Sequence, residues 1–364
     1  MSEQMKIGII GCGGISAAYF NGANECHNLT IKSCADLFHD AAVAKADEFG
    51  CEAVSVDEML ADPEIEMVIN LTVPRAHVEV GLKIIEAGKH SYAEKPFAVT
   101  VDEGKTLIAA AAAKNLRLGC APDTFLGGGI QTSRKVIDDG WIGRPLSGTA
   151  FMLGHGHESW HANAGFFYDI GGGPMLDMGP YYVTALVNML GPAKSVSGCV
   201  AKGFSERFDS TEKNFGTLHP VNIPTHYSGV IEFHNGALIT VVMSFDVWRH
   251  SLPRIEIHGT EGSLSVPDPN GTGGEVKVFR PGEDDWRHVP LAFPHNARMI
   301  GVTDMVNGIH DDRPHRASGD LAFHVLEIME SFETSSVEGK RIELSTKPDQ
   351  PTAFPLGLRP WEVD

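Results

Sequence analysis

Hydrophobic residues in the first third of the chain recur in two alternating patterns. Short apolar runs predict β-strands, and most are followed by a longer segment whose apolar residues repeat with a helical period. This alternation is typical of βαβ units and predicts a parallel sheet. The predicted strands are Lys6–Ile10, Thr30–Ala35, Met67–Leu71, Ser91–Ala93 and Arg117–Cys120, and the predicted helices are Ile15–Asn24, Asp40–Phe49, His77–Ala87 and Asp102–Lys114.

Residues that commonly bound helices support these segments. Gly50, Gly88 and Asn115 each follow a predicted helix, where a left-handed C-cap is usual, and Asp57 and Asp102 are predicted as helix starts.

After Cys120 the pattern changes to mainly alternating strands, which predict a second domain on a largely antiparallel sheet. The predicted domain boundary divides residues 1–122 from 123–364. The predicted strands are Tyr227–Phe233, Ala237–Phe245, Arg254–His258 and Ser263–Val266, and the predicted helices are Ile130–Asp139, Met178–Leu190 and Leu321–Ser335.

Length and charge narrow the classes of function. A chain of 364 residues with 42% hydrophobic and 21% charged residues is long enough for two globular domains. Its formal net charge of −18 opposes general attraction to nucleic acid or to an anionic membrane, so a small molecule is the expected ligand. The N-terminal residues lack a signal-peptide pattern and no apolar run is long enough to span a membrane, which predicts a cytoplasmic protein. Six scattered cysteines indicate neither disulfides nor a zinc site.

A glycine-rich turn follows the first predicted strand. Gly11-Cys12-Gly13-Gly14-Ile15-Ser16 leaves bare backbone at the start of a helix, where a pyrophosphate can approach free N–H groups. Asp36, 20 residues beyond Ser16 at the end of the second strand, suits a ribose diol. A carboxylate there repels a 2′-phosphate, so NAD is predicted rather than NADP. The alternative is a plain glycine turn with a surface aspartate.

Two further motifs complete a family pattern. Glu94-Lys95-Pro96 follows the fourth of the listed strands, and Gly171-Gly172-Gly173-Pro174-Met175-Leu176-Asp177 opens a helix in the second domain. With the glycine turn, they resemble the glucose-fructose oxidoreductase, inositol dehydrogenase and rhizopine catabolism (Gfo/Idh/MocA) family over nearly the whole chain. The resemblance implies an α/β protein: an N-terminal Rossmann dinucleotide-binding domain, then an α+β domain with a large, mainly antiparallel open sheet that often forms homodimers or homotetramers. Alternating apolar residues in that sheet suggest a face covered by a partner subunit: Val230, Ile239, Val241 and Ile255.

The resemblance also implies roles for individual residues. Lys95 matches the catalytic lysine and contacts cofactor and substrate, Pro96 takes part in a cis peptide, and Glu94 orients the backbone or the nicotinamide. Asp177 matches the family's substrate-facing aspartate, but Tyr181 stands where the family has histidine. Tyr181 is therefore predicted as the partner of Asp177, with Tyr182 as an alternative and core or interface packing as the structural interpretation of both. The predicted cofactor contacts are Gly11, Gly13, Gly14, Ile15, Asp36, Pro74, His77, Glu94 and Lys95.

A histidine-rich segment, residues 154–161, precedes the second signature. Trp160 is predicted to stack on a sugar ring, and His157 or His161 to bind its hydroxyls. His161 is also a candidate for the missing family histidine, while a metal site and a plain loop are the alternatives; no metal is predicted. Asp123 is a further predicted substrate contact. Trp248-Arg249-His250 is either an interface edge or a pocket wall.

These features predict an NAD-dependent dehydrogenase or reductase that transfers hydride between nicotinamide and a sugar, polyol or related hydroxyl compound. Two alternatives stay open. One is a redox-neutral NAD-dependent glycosidase, and the other is a sugar-pathway regulator that binds dinucleotide without catalysis, for which Lys95 and Asp177 would be needless.

Overall fold

The structure, a computed structural model, describes residues 4–294 and 296–364 and divides into two compact units. Unit 1 comprises the chain up to Gly128 together with Ala292–Phe323 and Pro351–Asp364. Unit 2 comprises Gly129–Leu291 and His324–Gln350. The predicted division at 122/123 treats each domain as one continuous stretch, whereas unit 1 also takes in two later segments of the chain.

Unit 1 is built on six strands: β1 (Met5–Ile10), β2 (Leu29–Ala35), β3 (Glu52–Ala53), β4 (Met67–Asn70), β5 (His90–Ala93) and β6 (Leu118–Cys120). They lie in the order β3-β2-β1-β4-β5-β6, and all neighbours are parallel. The order changes direction between β1 and β4, and in such sheets ligands bind outside the carboxyl ends of the strands at this point. The predicted Rossmann-type sheet is confirmed; the two-residue β3 was not predicted.

The helices of unit 1 end largely where the residue pattern indicated. They are α1 (Ser16–Ala23), α2 (His39–Phe49), α3 (Val56–Ala61), α4 (His77–Glu86) and α5 (Val101–Ala113), with a later helix at Ile300–His310. Gly50, Gly88 and Asn115 all have positive φ, as predicted. The predicted starts at Asp57 and Asp102 were wrong, because Ser55 and Thr100 form capping boxes with glutamates three residues on.

Unit 2 contains nine strands in one sheet and two in a small ribbon: β7 (Pro145–Leu153), β8 (Ala193–Ala201), β9 (Glu206–Phe208), β10 (Leu218–Pro220), β11 (His226–Phe233), β12 (Leu238–Ser244), β13 (Ile255–Gly259), β14 (Ser263–Val266), β15 (Val276–Phe279), β16 (Arg287–Val289) and β17 (Ile342–Glu343). The large sheet has the order β16-β15-β14-β13-β7-β12-β11-β8-β17. Only the pair β7 and β12 is parallel among its described strand pairs, so the predicted mainly antiparallel sheet is confirmed.

Helix α7 (Gly173–Leu190) lies against this sheet. The remaining helices are α6 (Gly128–Asp138), α7 (Gly173–Leu190), α8 (the Ile300–His310 helix of unit 1) and α9 (Gly319–Glu338), and α7 packs on β7, β11 and β12. Ile239, Val241 and Ile255 are completely buried within the single chain, so the protein's own core covers them and not a partner subunit as predicted. Val230 is exposed. Among helices formed by residues 4–294 and 296–364, none combines the length and apolar character of a membrane span.

Candidate functional site

The predicted functional residues belong to both units, and each group is described within its own unit. In unit 1 they follow the carboxyl ends of β1, β2, β4, β5 and β6. In unit 2 they lie on α7 and on the segment of residues 154–161 that follows β7, which we call the histidine loop.

The glycine turn after β1 has the shape that dinucleotide phosphates require. Gly11 has a φ of +105°, and a Cβ there would lie 2.7 Å from the Leu71 backbone, so only glycine fits. A Cβ at Gly13 or Gly14, in contrast, would meet no atom within 4 Å. The turn is therefore tightly packed at its first glycine and open at the next two, where a pyrophosphate would approach the backbone.

Helix α1 begins directly after this turn and leaves its N-terminus available. It has no side-chain cap and no acidic residue in its first turn. Ser16, at the third position of the dinucleotide-binding glycine motif, is buried, and its hydroxyl donates a hydrogen bond to the Gly13 carbonyl at 2.7 Å. The larger residue is thus accommodated without filling the anion-binding end of the helix, where N–H groups and the helix dipole favour negative charge.

Asp36 closes the other side of the turn. Its Oδ2 accepts the Cys12 N–H at 2.7 Å and its Oδ1 accepts the Phe38 N–H at 2.8 Å. Each oxygen retains a further lone pair, and the side chain is half-exposed, so the carboxylate is oriented and still able to accept a ribose hydroxyl. The open glycines, the uncapped helix and this carboxylate fit a dinucleotide.

Glu94-Lys95-Pro96 extends β5, and Glu94 organises it. The buried carboxylate accepts the Tyr19 hydroxyl at 2.8 Å through Oε1 and the Lys95 backbone N–H at 2.9 Å through Oε2. The Lys95–Pro96 peptide is cis, as the resemblance implied. Lys95 itself is half-buried. Glu94 therefore connects α1 to the backbone of the predicted catalytic lysine, consistent with an orienting role.

His77 lies behind the same segment. It is 1% exposed, and its Nδ1 and Nε2 lie 2.7 Å from the Pro96 carbonyl and 2.9 Å from the Thr72 carbonyl. Burial lowers the pKa of His77 despite these two carbonyls, so the ring is neutral near pH 7 and donates to one of them at a time. Both ring nitrogens lie against main-chain carbonyls, an arrangement suited to supporting the Lys95–Pro96 segment. The cofactor contact of His77 stays a prediction. Pro74 starts a short 3₁₀ turn before α4 and is half-buried.

Asp123 caps a helix of unit 1. Its Oδ2 accepts the backbone N–H groups of Met299 at 3.0 Å and Gly301 at 3.1 Å, and Arg298 lies 3.7 Å from Oδ1. Burial raises the pKa of this carboxyl, against the opposing charge of Arg298. At 1% exposure, Asp123 holds the start of α8 and has no surface for the predicted substrate contact. The capped helix is distant in sequence, which is why local patterns did not indicate this role.

In unit 2, α7 carries Asp177 and Tyr181 one turn apart. Asp177 is half-buried and Tyr181 is buried beside it on the same face. Pro180 lies between them and has no N–H to donate to the Leu176 carbonyl, so the helical bond is missing at this turn. Tyr182 is fully buried, which favours core packing for the alternative tyrosine.

The histidine loop brings several of the predicted residues together. The His157 ring lies 5.1 Å from that of Trp160 and 6.4 Å from that of His161. Trp160 is 65% exposed, as a residue that stacks on a sugar would be. His161 accepts the Asn163 N–H at 3.1 Å. His155 instead stacks on the exposed Trp248 with ring centroids 3.3 Å apart, so Trp248 lies against this loop and not within a strand.

Arg207 holds this loop in place through its side chain, a role that the sequence analysis did not predict. Its guanidinium is 3% exposed and binds Glu158 at 2.7 Å, Asp246 at 3.0 Å and the carbonyls of His155 and Phe245. Glu158 also accepts the Tyr168 hydroxyl. Glu158 is thus committed to a buried ion pair, and the described residues contain no group of three or more histidine, cysteine or carboxylate side chains placed to hold a metal ion. Arg207 follows Glu158 by 49 residues, too far for a local pattern to connect them.

Comparisons with known proteins agree with this architecture. Residues 5–121 match the model of the oxidoreductase family with an NAD-binding Rossmann fold, and residues 130–265 match the GFO/IDH/MocA C-terminal domain. The two matches take up more than half of the chain.

Individual relatives share the same fold or family. The chain is 26% identical to 1,5-anhydro-D-fructose reductase of Ensifer adhaerens over 71% of this chain and 74% of that protein. It is 27% identical to levoglucosan dehydrogenase of Pseudarthrobacter phenanthrenivorans over 64% of each. A solved structure of levoglucosan dehydrogenase in complex with NADH and levoglucosan superposes with a TM-score of 0.80 at 21% identity, over 94% of this chain and all of that one, a likeness that concerns the fold. From the dinucleotide turn, the two sheets and the matches to both domain models, this chain belongs to the Gfo/Idh/MocA family of NAD-binding oxidoreductases.

Proposed function

We propose that this protein is a dehydrogenase that transfers hydride between NAD and a CH–OH group of a sugar, a polyol or a related hydroxyl compound. The observation that carries the proposal is the arrangement of Lys95 in unit 1. Its backbone is held by Glu94, and the carbonyl of the next residue by His77, at the same sheet edge as the open glycine turn. A lysine oriented by two buried groups beside a dinucleotide turn is suited to chemistry.

The cofactor-binding part of the proposal rests on five residues of unit 1. Gly11, Gly13, Gly14 and Ile15 would hold the pyrophosphate, and Asp36 would hold the ribose hydroxyls. NAD is favoured over NADP because a 2′-phosphate would meet the Asp36 carboxylate. Bound NAD supplies the hydride acceptor at its nicotinamide ring.

Lys95 acts on the oxygen of the reacting CH–OH group. In the oxidation, the neutral Nζ accepts the hydroxyl proton as hydride leaves the carbon. In the reverse direction, the resulting ammonium donates a hydrogen bond to the carbonyl oxygen, stabilises its growing negative charge and returns the proton. Glu94 holds the lysine backbone N–H and His77 contacts the carbonyl of the following residue, so the main chain from which the lysine side chain extends keeps its position.

In unit 2, the proposed substrate contacts lie on α7 and on the histidine loop. Asp177 accepts hydrogen bonds from sugar hydroxyls, and the Tyr181 hydroxyl lies one turn further along the same helix. Trp160 offers an exposed ring face for stacking, and His161 binds a hydroxyl. Two relatives have names that refer to an anhydrofructose and to levoglucosan, which supports carbohydrate substrates.

The proposed substrate class and oligomeric state rest on the net charge and on the family resemblance. The substrate is a small molecule, since a net charge of −18 disfavours nucleic acid and anionic membranes. The proposal includes a homodimer or homotetramer, as the family resemblance implies, and a cytoplasmic location, which the N-terminal sequence favours.

The deciding experiment measures nicotinamide absorbance of the purified protein with NAD or NADP and a panel of aldoses, inositols, sugar acids and anhydrosugars. We expect an increase with NAD and one substrate class. An increase only with NADP would contradict the role of Asp36. No increase in a protein that binds NADH would overturn the dehydrogenase and favour the redox-neutral or regulatory alternatives, for which glycosides are the next substrates.

A further inference from the structure

The signature helix α7 lacks the histidine that the family pattern pairs with its aspartate, yet a histidine approaches Asp177 from elsewhere. His157 of the histidine loop places its Nε2 3.5 Å from Asp177 Oδ2. Both side chains are largely buried, with 11% and 15% of their surfaces exposed. A contact of this length is loose for a hydrogen bond, but such contacts commonly shorten when substrate binds.

The His157 ring is held firmly by its neighbours. It stacks face to face on Phe167, with centroids 3.7 Å apart and planes within 1°, and meets the edge of Phe245 at 4.8 Å. Its backbone N–H donates to the Tyr168 hydroxyl, which in turn binds Glu158 in the Arg207 network. The ring therefore presents one nitrogen to Asp177 without freedom to rotate away.

The other nitrogen fixes the protonation pattern. His157 Nδ1 is buried and has no hydrogen-bond partner among the described residues. A proton on Nδ1 would be a buried donor without an acceptor, and it would leave the Nε2 lone pair facing a carboxylate. The neutral ring therefore carries its proton on Nε2, which donates toward Asp177.

We propose that His157 is a positioning residue for Asp177: from a loop 20 residues earlier in the chain, it supplies the imidazole that the family pattern places one helical turn after the aspartate. Its Nε2–H holds Oδ2 and so fixes the rotation of the carboxylate that receives the substrate hydroxyl. This inference rests on the proposed function.

The test compares two substitutions with different chemistry. His157→Phe keeps an aromatic ring on Phe167 but removes the donor, whereas His157→Gln places an amide N–H near the former Nε2. We expect the Phe variant to lower kcat at least tenfold with little change in KM for NAD, and the Gln variant to recover most of that loss. A Phe variant within twofold of the wild type, or a Gln variant as slow as the Phe variant, would overturn the inference.

A matched control separates this role from general packing. His219 also faces a carboxylate in unit 2, with Nε2 2.8 Å from Asp209 Oδ2, and no catalytic role is assigned to it. His219→Phe should leave kcat within twofold of the wild type. Adding Tyr181→His to the His157→Phe variant restores the family pattern and should raise kcat. If His157→Phe fails to fold, His157→Leu with and without Tyr181→His serves the same comparison.

A measurement without turnover keeps the two proposals distinct. Nitrogen NMR of histidine-labelled protein, assigned with His157→Gln, should find His157 protonated on Nε2, and a proton on Nδ1 would overturn the inference. If the wild type oxidises a sugar but the variants match it, only this inference fails. If none of the tested substrates causes the wild type to reduce NAD, the proposed function fails, and the positioning role of His157 in turnover fails with it whatever the tautomer.

Discussion

The glycine turn of unit 1 and the histidine loop of unit 2 are organised in opposite ways. In the turn, the backbone conformation determines the shape: Gly11 has a positive φ, and Gly13 and Gly14 leave open space beside the backbone. In the loop, side-chain contacts determine the shape, because the buried Arg207 binds Glu158, Asp246 and two backbone carbonyls. A backbone shape suits a cofactor common to many enzymes, whereas exchangeable side chains suit the particular substrate that we propose for the loop.

The largest expected effect concerns the chemistry that we propose for Lys95. Lys95→Met should lower kcat roughly 10²–10⁴-fold, the usual contribution of a positioned acid or base, while NADH binding measured by fluorescence titration stays within about twofold of the wild type. Loss of NADH binding would place Lys95 in the cofactor cradle instead. Unchanged kcat would remove it from the mechanism.

The second prediction breaks the side-chain organisation of the histidine loop. Arg207→Met leaves Glu158 and Asp246 without their buried cation and should reduce the free energy of unfolding by about 3–5 kcal/mol. Arg341 is the control, because its pairs with Glu232 and Glu343 are more than half exposed on the arginine side. Arg341→Met should cost less than about 1 kcal/mol in the same denaturant titration. Equal losses of unfolding free energy in the two variants would contradict the stabilising role of the buried Arg207 ion pairs.

The third prediction tests the pH dependence of unit 2 packing. His324 Nε2 accepts the Ala193 N–H at 3.0 Å, and burial lowers the pKa of His324 to about 4. The unfolded chain binds this proton near pH 6.5 and the folded chain does not, so stability is complete above pH 6.5 and falls toward pH 4, by at most about 3 kcal/mol. His324→Gln should flatten that part of the pH profile of unfolding. An unchanged slope would assign the acid loss to other groups, such as His315 in unit 1, whose pKa burial also lowers to about 4.

The smallest predicted effect sharpens the backbone side of the comparison. Gly13→Ala adds a methyl group into open space, so the free energy of unfolding should change by less than about 0.5 kcal/mol. NADH affinity should nevertheless fall about tenfold, or 1.4 kcal/mol, because the methyl group occupies the approach of the pyrophosphate. Gly11→Ala is the contrasting variant and should destabilise the fold itself. If Gly13→Ala binds NADH as tightly as the wild type, Gly13 does not lie against the phosphates.

Sequence reasoning succeeded where a local pattern determines the outcome. The turn after β1, the aspartate after β2 and the Lys95–Pro96 segment all depend on neighbours within a few residues or on regular strand spacing, so they could be predicted. The roles of Asp123, His157 and Arg207 depend on partners that the fold brings from 20 to 178 residues away. The capping boxes at Ser55 and Thr100, in contrast, follow a recognisable Ser/Thr-x-x-Glu pattern and could have been found from the sequence.

The cap that Asp123 provides to α8 limits how the molecule can be divided. Unit 1 is not one continuous piece of chain, because residues of the first 128 depend on the segment Ala292–Phe323: Cys26 and Asn28 contact Thr303, and Asn28 also binds Asn307. A fragment cut after Gly128 would expose these contacts and leave the buried carboxylate of Asp123 without its backbone donors. An exchange of dinucleotide-binding halves between relatives must therefore graft both segments of chain together.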